Sequence, residues 1–371
     1  MSEDAQRILF ALLTFVTAAV FSFAASPLIK QFAHTVGAID VPQDERRMHK
    51  TPIPRLGGLA IFLGFLLSLL LFVQPIPNDL RGILLGSVVI MVIGVIDDIV
   101  RLRAWVKLLA QIVAAVIPIL HGVVLTRLAN PFAFNGSGFL DFGVFSIPIT
   151  IVWIVAIVNA VNFIDGLDGL AAGVSSISSV SLMIIAILLQ MPVWAVVMAA
   201  LAGACVGFLP YNRNPAKMFM GDTGATFIGF ILATVSLQGL FKSYTLISFA
   251  IPFLILALPI FDILFSVTRR IASGHSPTSA DAEHIHHKLI DMGLSQKQSV
   301  AILYTLSAVL GLSAVVLATS GEIKTMIFLI AVIVALLIGY KVLSPAKNHT
   351  ASAPPEDQPI APSSADKEDP Q

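Results

Sequence analysis

The chain has 371 residues, of which 57% are hydrophobic and 12% are charged, and its mean hydropathy is +0.90. Soluble domains are about 45–50% apolar and about 25% charged, so this composition excludes an ordinary soluble protein and indicates a multi-pass membrane protein. Lys plus Arg and Asp plus Glu balance at 22 each, so net charge says nothing about a nucleic-acid partner, and since the sequence shows no recognition motif for one we expect none. The single cysteine excludes an internal disulfide and a cysteine-based metal site.

Apolar windows of about the length needed to cross a bilayer, roughly 20 residues, follow one another along the chain. We therefore predict an all-α polytopic membrane protein, a bundle of about eleven transmembrane helices. The predicted spans are 8–30, 56–74, 81–97, 105–125, 145–162, 169–190, 193–210, 223–240, 245–268, 299–318 and 324–343. The first window is too long for the apolar part of a signal peptide, so we expect it to be retained.

Two other segments complete the predicted organisation. Residues 127–145 alternate apolar and polar side chains around Asn130-Pro131 and Gly136, which predicts a short hairpin at the outer surface, with an ordinary loop as the alternative. Residues 345–371 are rich in Pro, Ser, Ala and acids and cannot bury a core, so we expect a disordered tail after a membrane domain that spans 1–344.

The Lys and Arg residues predict the orientation of the chain, because cytoplasmic loops carry an excess of them. With the spans above, seventeen of the 22 fall on one side of the membrane and the remaining five on the other. The seventeen mark the cytoplasm, which predicts an outer N-terminus and an inner C-terminus. The polar segments described next all fall on that cytoplasmic side, which predicts that they form one shared site in cytoplasmic loops.

The first polar segment is the acid pair Asp97-Asp98 at the end of the third window. Adjacent carboxylates repel each other and stay ionised only beside a cation or basic groups, so the pair indicates metal or phosphate chemistry. The alternative is a helix end whose acids pair with Arg101 and Arg103. Carboxylates at membrane depth cost about 2.5 to 3.5 kcal/mol each on insertion scales and persist mainly for function.

The second segment, 159–170, places Asn162, Asp165 and Asp168 after the fifth window. Two carboxylates three residues apart lie on one helical face if a helix begins there. The amide of Asn162 is suited to reading a base or a sugar, and the flanking glycines allow a ligand close to the main chain. Acids that merely favour the dipole of a helix N-terminus are the alternative.

The third segment, 219–224, contains Asp222, a hard oxygen ligand of the kind that Mg²⁺ prefers together with substrate phosphates. Phe219 could stack on a base, with an interfacial anchor as the alternative. The first inner loop adds Lys50 and Arg55, which could bind either the phosphate of a lipid substrate or lipid headgroups in general.

The fourth segment is His284-Ile-His286-His287 in the long inner loop. Clustered histidines can bind zinc. No cysteine or carboxylate at ligand spacing completes such a site here, so hydrogen-bond or cationic contacts to a diphosphate are the favoured interpretation.

These segments, in this order, resemble the polyprenyl-phosphate N-acetylhexosamine-1-phosphate transferase superfamily, glycosyltransferase family 4. The resemblance extends from about residue 5 to 343 and is carried by 97–107, 159–169, 219–224 and 284–287. It implies a bundle of ten or eleven spans in a bacterial inner or plasma membrane, often as a homodimer. It also implies transfer of a sugar 1-phosphate from a UDP-N-acetylhexosamine to undecaprenyl phosphate with release of UMP. Such a step begins cell-wall and surface polymers, including teichoic acid linkage units and lipopolysaccharide O-antigen.

The resemblance also implies roles for individual residues. Asp97 matches the acid proposed to deprotonate the lipid phosphate, Asp98 is its partner near the metal, and Lys107 contacts phosphate, so these three are the expected catalytic residues. Asp222 matches the ligand of Mg²⁺, or of Mn²⁺ as the alternative, with Asp98 as a second ligand. The expected substrate-binding residues are Asn162, Asp165, Asp168, Phe219, His284, His286, His287, Lys50 and Arg55.

The histidine pattern resembles the branch that uses UDP-N-acetylglucosamine. The phospho-MurNAc-pentapeptide branch usually has consecutive histidines and commonly has lysine where this chain has Arg101. A UDP-MurNAc-pentapeptide or another UDP-N-acetylhexosamine remains the alternative donor. An ion-coupled transporter, which would place the acids near the bilayer midplane, is the distant alternative.

Overall fold

A computed structural model describes residues 2–42, 51–129, 139–239, 246–272 and 284–320, together with residue 330. Two compact units are distinguished, Met1–Leu329 and Ile330–Gln371. Apart from Ile330, the second unit lies outside the described residues, as do the predicted eleventh span and the predicted tail.

The first unit is mainly helical, as predicted. Its helices are α1 (Glu3–Val36), α2 (Gly57–Phe72), α3 (Asn78–Val100), α4 (Ala104–Leu120), α5 (Ser146–Ile164), α6 (Leu170–Leu188), α7 (Pro192–Asn212), α8 (Gly221–Gly239), α9 (Leu246–Ile255), α10 (Ala257–Ala272), α11 (Ile285–Asp291) and α12 (Gln296–Ser320). Short strands occur at β1 (Ile39–Asp40), β2 (Ile53–Pro54), β3 (Arg127–Ala129) and β4 (Phe139–Asp141).

Each of the first ten predicted windows overlaps a helix. In the described part of the chain, six helices are long and apolar enough to cross a membrane: α1, α3, α5, α6, α7 and α12. The helices α2 and α4 are apolar but shorter. Membrane-spanning helices are therefore confirmed, and the count of eleven stays a prediction.

The centre of the bundle is formed by α7 and α8. Of the apolar window in α7, 78% is buried, against 22% in α1, which lies at the periphery and packs on α2 and α7. The rings of Phe208, Phe227 and Phe230 are fully buried. In turn, α8 packs against α3 and α5, while α6 lies between α7 and α12. The two central helices thus provide a rigid base for the loops at their ends.

The window 245–268 forms two helices, α9 and α10, where the sequence predicted one. Pro259 lacks the N–H that would bond to the carbonyl of Ile255, so the helix breaks between them. The freed carbonyl of Ile255 accepts a hydrogen bond from Ser178 Oγ at 3.1 Å. Hydroxyl groups of neighbouring helices commonly satisfy such groups in membrane proteins.

The predicted hairpin is confirmed in its described strands. β3 pairs antiparallel with β4, with Leu128 opposite Leu140, and residues 130–138 between them lie outside the described part of the chain. A second antiparallel pair, β1 with β2, joins the end of α1 to the start of α2. This second pair lies at the same end of the bundle as the predicted site residues.

Candidate active site

A cavity of about 580 Å³ opens where several helices end. It brings together residues from four of the predicted polar segments. The predicted site residues that line it are Arg55, Asn162, Asp165, Asp168, Phe219, Asp222 and His287. The polar segments therefore share one location, even though they are separated by up to about 230 positions in the sequence.

Beside this cavity lies a group that we call the acid wall, which consists of Asp97, Asp98, Lys107 and Asp222. Of the four, Asp222 lines the cavity, while Asp97 and Lys107 line a small adjoining pocket that also contains Asp222. Lys107 Nζ lies between two carboxylates, forming ion pairs with Asp97 Oδ2 and, at 2.6 Å, with Asp222 Oδ2. Asp97 Oδ1 also accepts a hydrogen bond from the N–H of Leu102 at 2.7 Å. The acid wall thus fastens the ends of α3, α4 and α8 through opposite charges.

The side chain of Asp98 holds the first turn of α8. Its Oδ1 accepts the N–H of Asp222 at 3.1 Å, and its Oδ2 accepts the N–H of Thr223 at 3.0 Å and the hydroxyl of Thr223. A helix N-terminus leaves such donors unpaired and favours negative charge. Gly221, at φ 72°, lies so close that a Cβ there would overlap the Asp98 carboxylate.

The main chain of residues 54–58 forms a frame with residues 219–220. Phe219 donates its N–H to the carbonyl of Pro54 at 2.8 Å, and Gly57 and Gly58 donate to the carbonyls of Phe219 and Met220 at 2.9 and 2.8 Å. This pairing, the backbone frame, sets the positions of Arg55 and Phe219 in the cavity wall.

The guanidinium of Arg55 lies between two carboxylates. Its Nε is 3.7 Å from Asp98 Oδ1, and its Nη1 is 3.7 Å from Asp40 Oδ1. Among the described residues, Asp98 pairs with Arg55 and Asp97 with Lys107, and neither acid pairs with Arg101 or Arg103. The alternative interpretation of a simple helix end paired with these two arginines is therefore wrong.

Asp165 faces the cavity from the connection between α5 and α6. No described residue donates a hydrogen bond to its carboxylate. Burial, together with the negative charges of Asp222 and Asp98, raises the pKa of Asp165 to about 7. Its surroundings thus carry an excess of negative charge that a cation would relieve.

Asp168 supports the loop after α7. Its Oδ2 accepts from Asn214 Nδ2 at 2.9 Å and from the N–H of Ala216 at 3.0 Å. The condition under which Asp165 and Asp168 would share a helical face is not met, because α5 ends at Ile164 and α6 begins at Leu170. The tight turn is closed instead by Gly169 at φ 81°, whose N–H is accepted by Asn212 Oδ1 at 3.1 Å.

A second group beside the cavity, which we call the histidine wall, consists of Asp262, His284, His286 and His287, of which His287 lines the cavity. Asp262 on α10 is 1% exposed, and both of its oxygens accept hydrogen bonds. His284 Nδ1 lies 2.9 Å from Asp262 Oδ2, and the N–H of Ile285 donates to Asp262 Oδ1 at 2.8 Å. One buried carboxylate therefore orients a histidine and anchors the N-terminus of α11.

Ring stacking extends this wall to the cavity. The centroid of His284 lies 5.6 Å from that of Phe163 and 5.6 Å from that of His286, and His286 and His287 are 4.4 Å apart. His286 packs on Gly166, where a Cβ would overlap its ring. Burial, followed by the charge of His287, lowers the pKa of His286 to about 4. His287 is the histidine that reaches the cavity.

Three polar residues of the site were not predicted from the sequence. Asp262 is a lone acid inside an apolar window, and that position alone was a signal of function. Asn212 and Asn214 stand at a helix end just before 219–224, where amides that close a turn are expected. Of the predicted residues, Lys50 lies outside the described residues.

The residues fit a divalent cation of the magnesium type. In the described ranges no group of three His, Cys, Asp or Glu residues is placed to hold a metal by itself. Mg²⁺ is usually held by one or two carboxylates together with substrate phosphates, rather than by a cage of protein ligands. Asp222 and Asp165 are two such carboxylates, and the cavity that they line is large enough to hold phosphates as well.

Comparison with known proteins agrees with this arrangement. Residues 80–240 match the model of glycosyl transferase family 4. The probable undecaprenyl-phosphate N-acetylglucosaminyl 1-phosphate transferase of Bacillus subtilis (strain 168) is 36% identical over 336 residues, which cover 90% of this chain and 91% of that protein. The chain belongs to glycosyl transferase family 4.

Other members of the family are similar over much of their length. The decaprenyl-phosphate N-acetylglucosaminephosphotransferase of Mycobacterium tuberculosis (strain ATCC 25618 / H37Rv) is 36% identical over 78% of both chains. The undecaprenyl-phosphate alpha-N-acetylglucosaminyl 1-phosphate transferase of Salmonella typhi is 29% identical over 90% of this chain and 91% of its own. Together they place this glycosyl transferase family 4 member in the N-acetylglucosamine-1-phosphate transferase branch, as a bacterial membrane protein.

Proposed function

We propose that the protein transfers N-acetylglucosamine 1-phosphate from UDP-N-acetylglucosamine to undecaprenyl phosphate, releasing UMP and forming undecaprenyl-diphosphate-N-acetylglucosamine. The observation that carries the proposal is the single cavity in which Arg55, Asp165, Asp222 and His287 meet at the helix ends. Relatives named for this chemistry support it. The orientation predicted from Lys and Arg places this cavity on the cytoplasmic side, where nucleotide sugars occur.

In this proposal the nucleotide is held by residues at the connection between α5 and α6 and at the connection between α7 and α8. The half-buried ring of Phe219 offers a face on which uracil stacks, and Asn162 offers an amide to the base or ribose. Asp168 keeps the loop around Asn214 in place beside them. Because the backbone frame fixes Phe219, the ring is set in position before the donor arrives.

The diphosphate is placed at the acid wall, with Asp222 as the ligand of Mg²⁺. Asp222 would hold the ion, and the chemistry that Mg²⁺ supplies when bound is positive charge beside the diphosphate and the departing UMP. Asp98 supports this ligand, since it binds the N–H of Asp222, and its own place in the metal shell stays a prediction. Arg55 and His287 face the same space, where Arg55 neutralises further phosphate charge and His287 offers a hydrogen bond.

The lipid phosphate is the nucleophile of an in-line displacement. Two anionic substrates repel each other, so Lys107, which lies between Asp97 and Asp222, supplies positive charge for their approach. A phosphate monoester has a second pKa of about 6, so it is mostly ionised at neutral pH. Asp97 therefore contributes mainly by positioning Lys107 and the nucleophile, with removal of the last proton as its smaller role.

The ion-coupled transporter is not part of the proposal. It predicts acids near the bilayer midplane, whereas Asp97 lies near the end of α3, Asp165 follows α5, and Asp222 is the second residue of α8.

The test is a donor panel with the purified full chain in lipid vesicles that contain undecaprenyl phosphate and Mg²⁺. We expect UMP release with UDP-N-acetylglucosamine, loss of release on chelation of Mg²⁺, and its return when Mg²⁺ is added back. A parallel reaction without undecaprenyl phosphate controls for hydrolysis of the donor. Turnover with the UDP-MurNAc-pentapeptide donor alone would overturn the donor assignment, and chelation without effect would overturn the role of the metal.

A further inference from the structure

A second cavity, of about 570 Å³, adjoins the first and shares Asp168, Asn214 and Pro215 with it. We call it the basic groove. Three cations line it, and the rest of its wall is mostly apolar, formed by Pro210, Val300, Ala301 and Tyr304. The proposed transfer reaction uses none of these cations or apolar residues.

The cations come from two short segments. Arg213 and Lys217 lie in the loop after α7, and Lys297 lies in the first turn of α12. All three are exposed, and none forms an ion pair with a carboxylate of the described residues. Asp168 is the acid among the groove residues that the structure describes, and its Oδ2 already accepts from Asn214 and Ala216. With three cations and one acid, the described lining of the groove carries a net positive charge.

The basic groove lies at the ends of α6, α7 and α12, which are three of the helices able to span a membrane. The ends of spanning helices lie at the level of lipid headgroups. Tyr304 fastens two of these ends, because its hydroxyl donates to the carbonyl of Gly169 at 2.6 Å. The groove is therefore a fixed concave surface at the membrane interface.

We propose that the basic groove binds the headgroup of an anionic phospholipid, with its phosphodiester near Lys217 and Lys297. Basic pockets between transmembrane helices on the cytoplasmic side favour such headgroups. The apolar part of the wall, at Val300 and Ala301, suits the start of the acyl chains. Undecaprenyl phosphate is a different lipid phosphate, which must reach the diphosphate of the donor beside the acid wall. Asp97, Lys107 and Asp222 of that wall line the other cavities, not this one.

The test measures lipid binding by the delipidated full chain in detergent, with native mass spectrometry as the readout. The wild type is compared with Lys217→Gln/Lys297→Gln and with the matched control Lys30→Gln/Arg103→Gln, which removes two cations elsewhere. Each basic residue near a membrane surface contributes about 1 kcal/mol to anionic lipid binding. Because the groove variant loses two of them, we expect it to bind phosphatidylglycerol about 30-fold more weakly than the wild type, while the control variant binds it as the wild type does. Unchanged UMP release by that variant shows that it is folded.

Three further ligands decide the nature of the site. Phosphatidylcholine and inorganic phosphate should bind the wild type at least tenfold more weakly than phosphatidylglycerol, because one lacks net charge and the other lacks acyl chains. Equal binding of phosphatidylglycerol to the wild type and the groove variant would overturn the proposal. So would displacement of phosphatidylglycerol from the groove by an equal amount of undecaprenyl phosphate, which would make the groove a substrate site. If the double variant fails to release UMP, Arg213→Gln replaces it with the same expected direction.

Discussion

The two walls of the cavity are built in different ways. The acid wall fastens three long helices through opposite charges, with Lys107 between Asp97 and Asp222. The histidine wall holds a helix of seven residues, α11, through the single buried carboxylate of Asp262 and a stack of rings. The acid wall is therefore held together by ion pairs. The histidine wall is held by the hydrogen bonds of one buried carboxylate, which orients His284, and by contacts between rings.

The largest effect is expected in the acid wall, from Asp222→Asn. The change keeps the N–H that Asp98 accepts, so α8 remains capped, but it removes the charge proposed to hold Mg²⁺. Loss of one preorganised electrostatic group typically costs about 10²- to 10³-fold in rate, and we expect a loss of UMP release in that range. The rate is measured across a series of Mg²⁺ concentrations.

The matched control is Asp141→Asn, at an exposed acid in β4. This residue precedes the start of α5, whereas the cavity lies at the other end of that helix, and it is not part of the cavity lining. It should leave the rate unchanged. Near-normal activity of Asp222→Asn at low Mg²⁺ would contradict its role as a ligand.

A smaller loss is expected in the histidine wall, from Asp262→Asn. The amide accepts through one atom only, so if its oxygen keeps the N–H of Ile285, its nitrogen can only donate to His284 Nδ1. His284 must then either lose this contact or adopt the tautomer in which Nδ1 accepts. Partners that orient functional histidines typically contribute about 10- to 100-fold, and we expect kcat to fall within that range. A change in the pH dependence of kcat would separate loss of orientation from simple loss of stability.

The control for this change is Ser266→Ala. Ser266 Oγ lies 3.3 Å from the same nitrogen of His284, but its removal leaves the pair with Asp262 in place. If Ser266→Ala lowers kcat as much as Asp262→Asn, the carboxylate is not the group that orients His284.

A change beside the acid wall, Phe219→Leu, should act on binding alone. Stacking of a base on an aromatic ring is worth about 1–3 kcal/mol, so we expect KM for the UDP-sugar to rise about tenfold or more with kcat nearly constant. Phe219→Tyr keeps the ring and should keep KM. An equal rise in KM for both variants would show that the ring does not contact the base.

The smallest effect is expected from pH, through His286. Its pKa is about 4 in the folded chain and 6.5 for an exposed histidine, so between these values the unfolded chain binds the proton and the folded chain does not. Its contribution to stability is therefore complete above pH 6.5 and is lost as the pH falls toward 4. The free energy of unfolding should change by at most about 1.4 kcal/mol per pH unit from this group.

Thermal unfolding in detergent at pH 7 and pH 5, for the wild type and His286→Gln, measures this difference. The variant should lose less stability between the two values than the wild type. The same loss in both proteins would show that another group titrates in this window.

The same contrast explains what the sequence predicted. The length of the apolar runs predicted the helices in ten windows, because a helix needs about 20 mostly apolar residues to cross a bilayer. The acids of the acid wall were recognisable since Asp97, Asp98 and Asp222 stand beside apolar runs. The resemblance to glycosyltransferase family 4 is confirmed by the comparisons.

The histidine wall was predicted only in part. His284, His286 and His287 were recognised as a cluster, but their partner Asp262 is 22 positions earlier than His284, inside a window read only for its hydropathy. Such a pairing depends on tertiary contact and leaves no local pattern. The break between α9 and α10 was recognisable from Pro259, whereas its stabilisation by Ser178 from another helix was not.

The backbone frame has a consequence for which substitutions the cavity tolerates. Because main-chain hydrogen bonds hold Phe219 opposite Pro54, the position of this part of the wall does not depend on the Phe219 side chain, whereas the donors Gly57 and Gly58 leave no room for a Cβ. Under the proposed function, replacing the ring of Phe219 would therefore change the contact to uracil while the wall itself stays in place. The frame thus separates where the base binds from how tightly it binds.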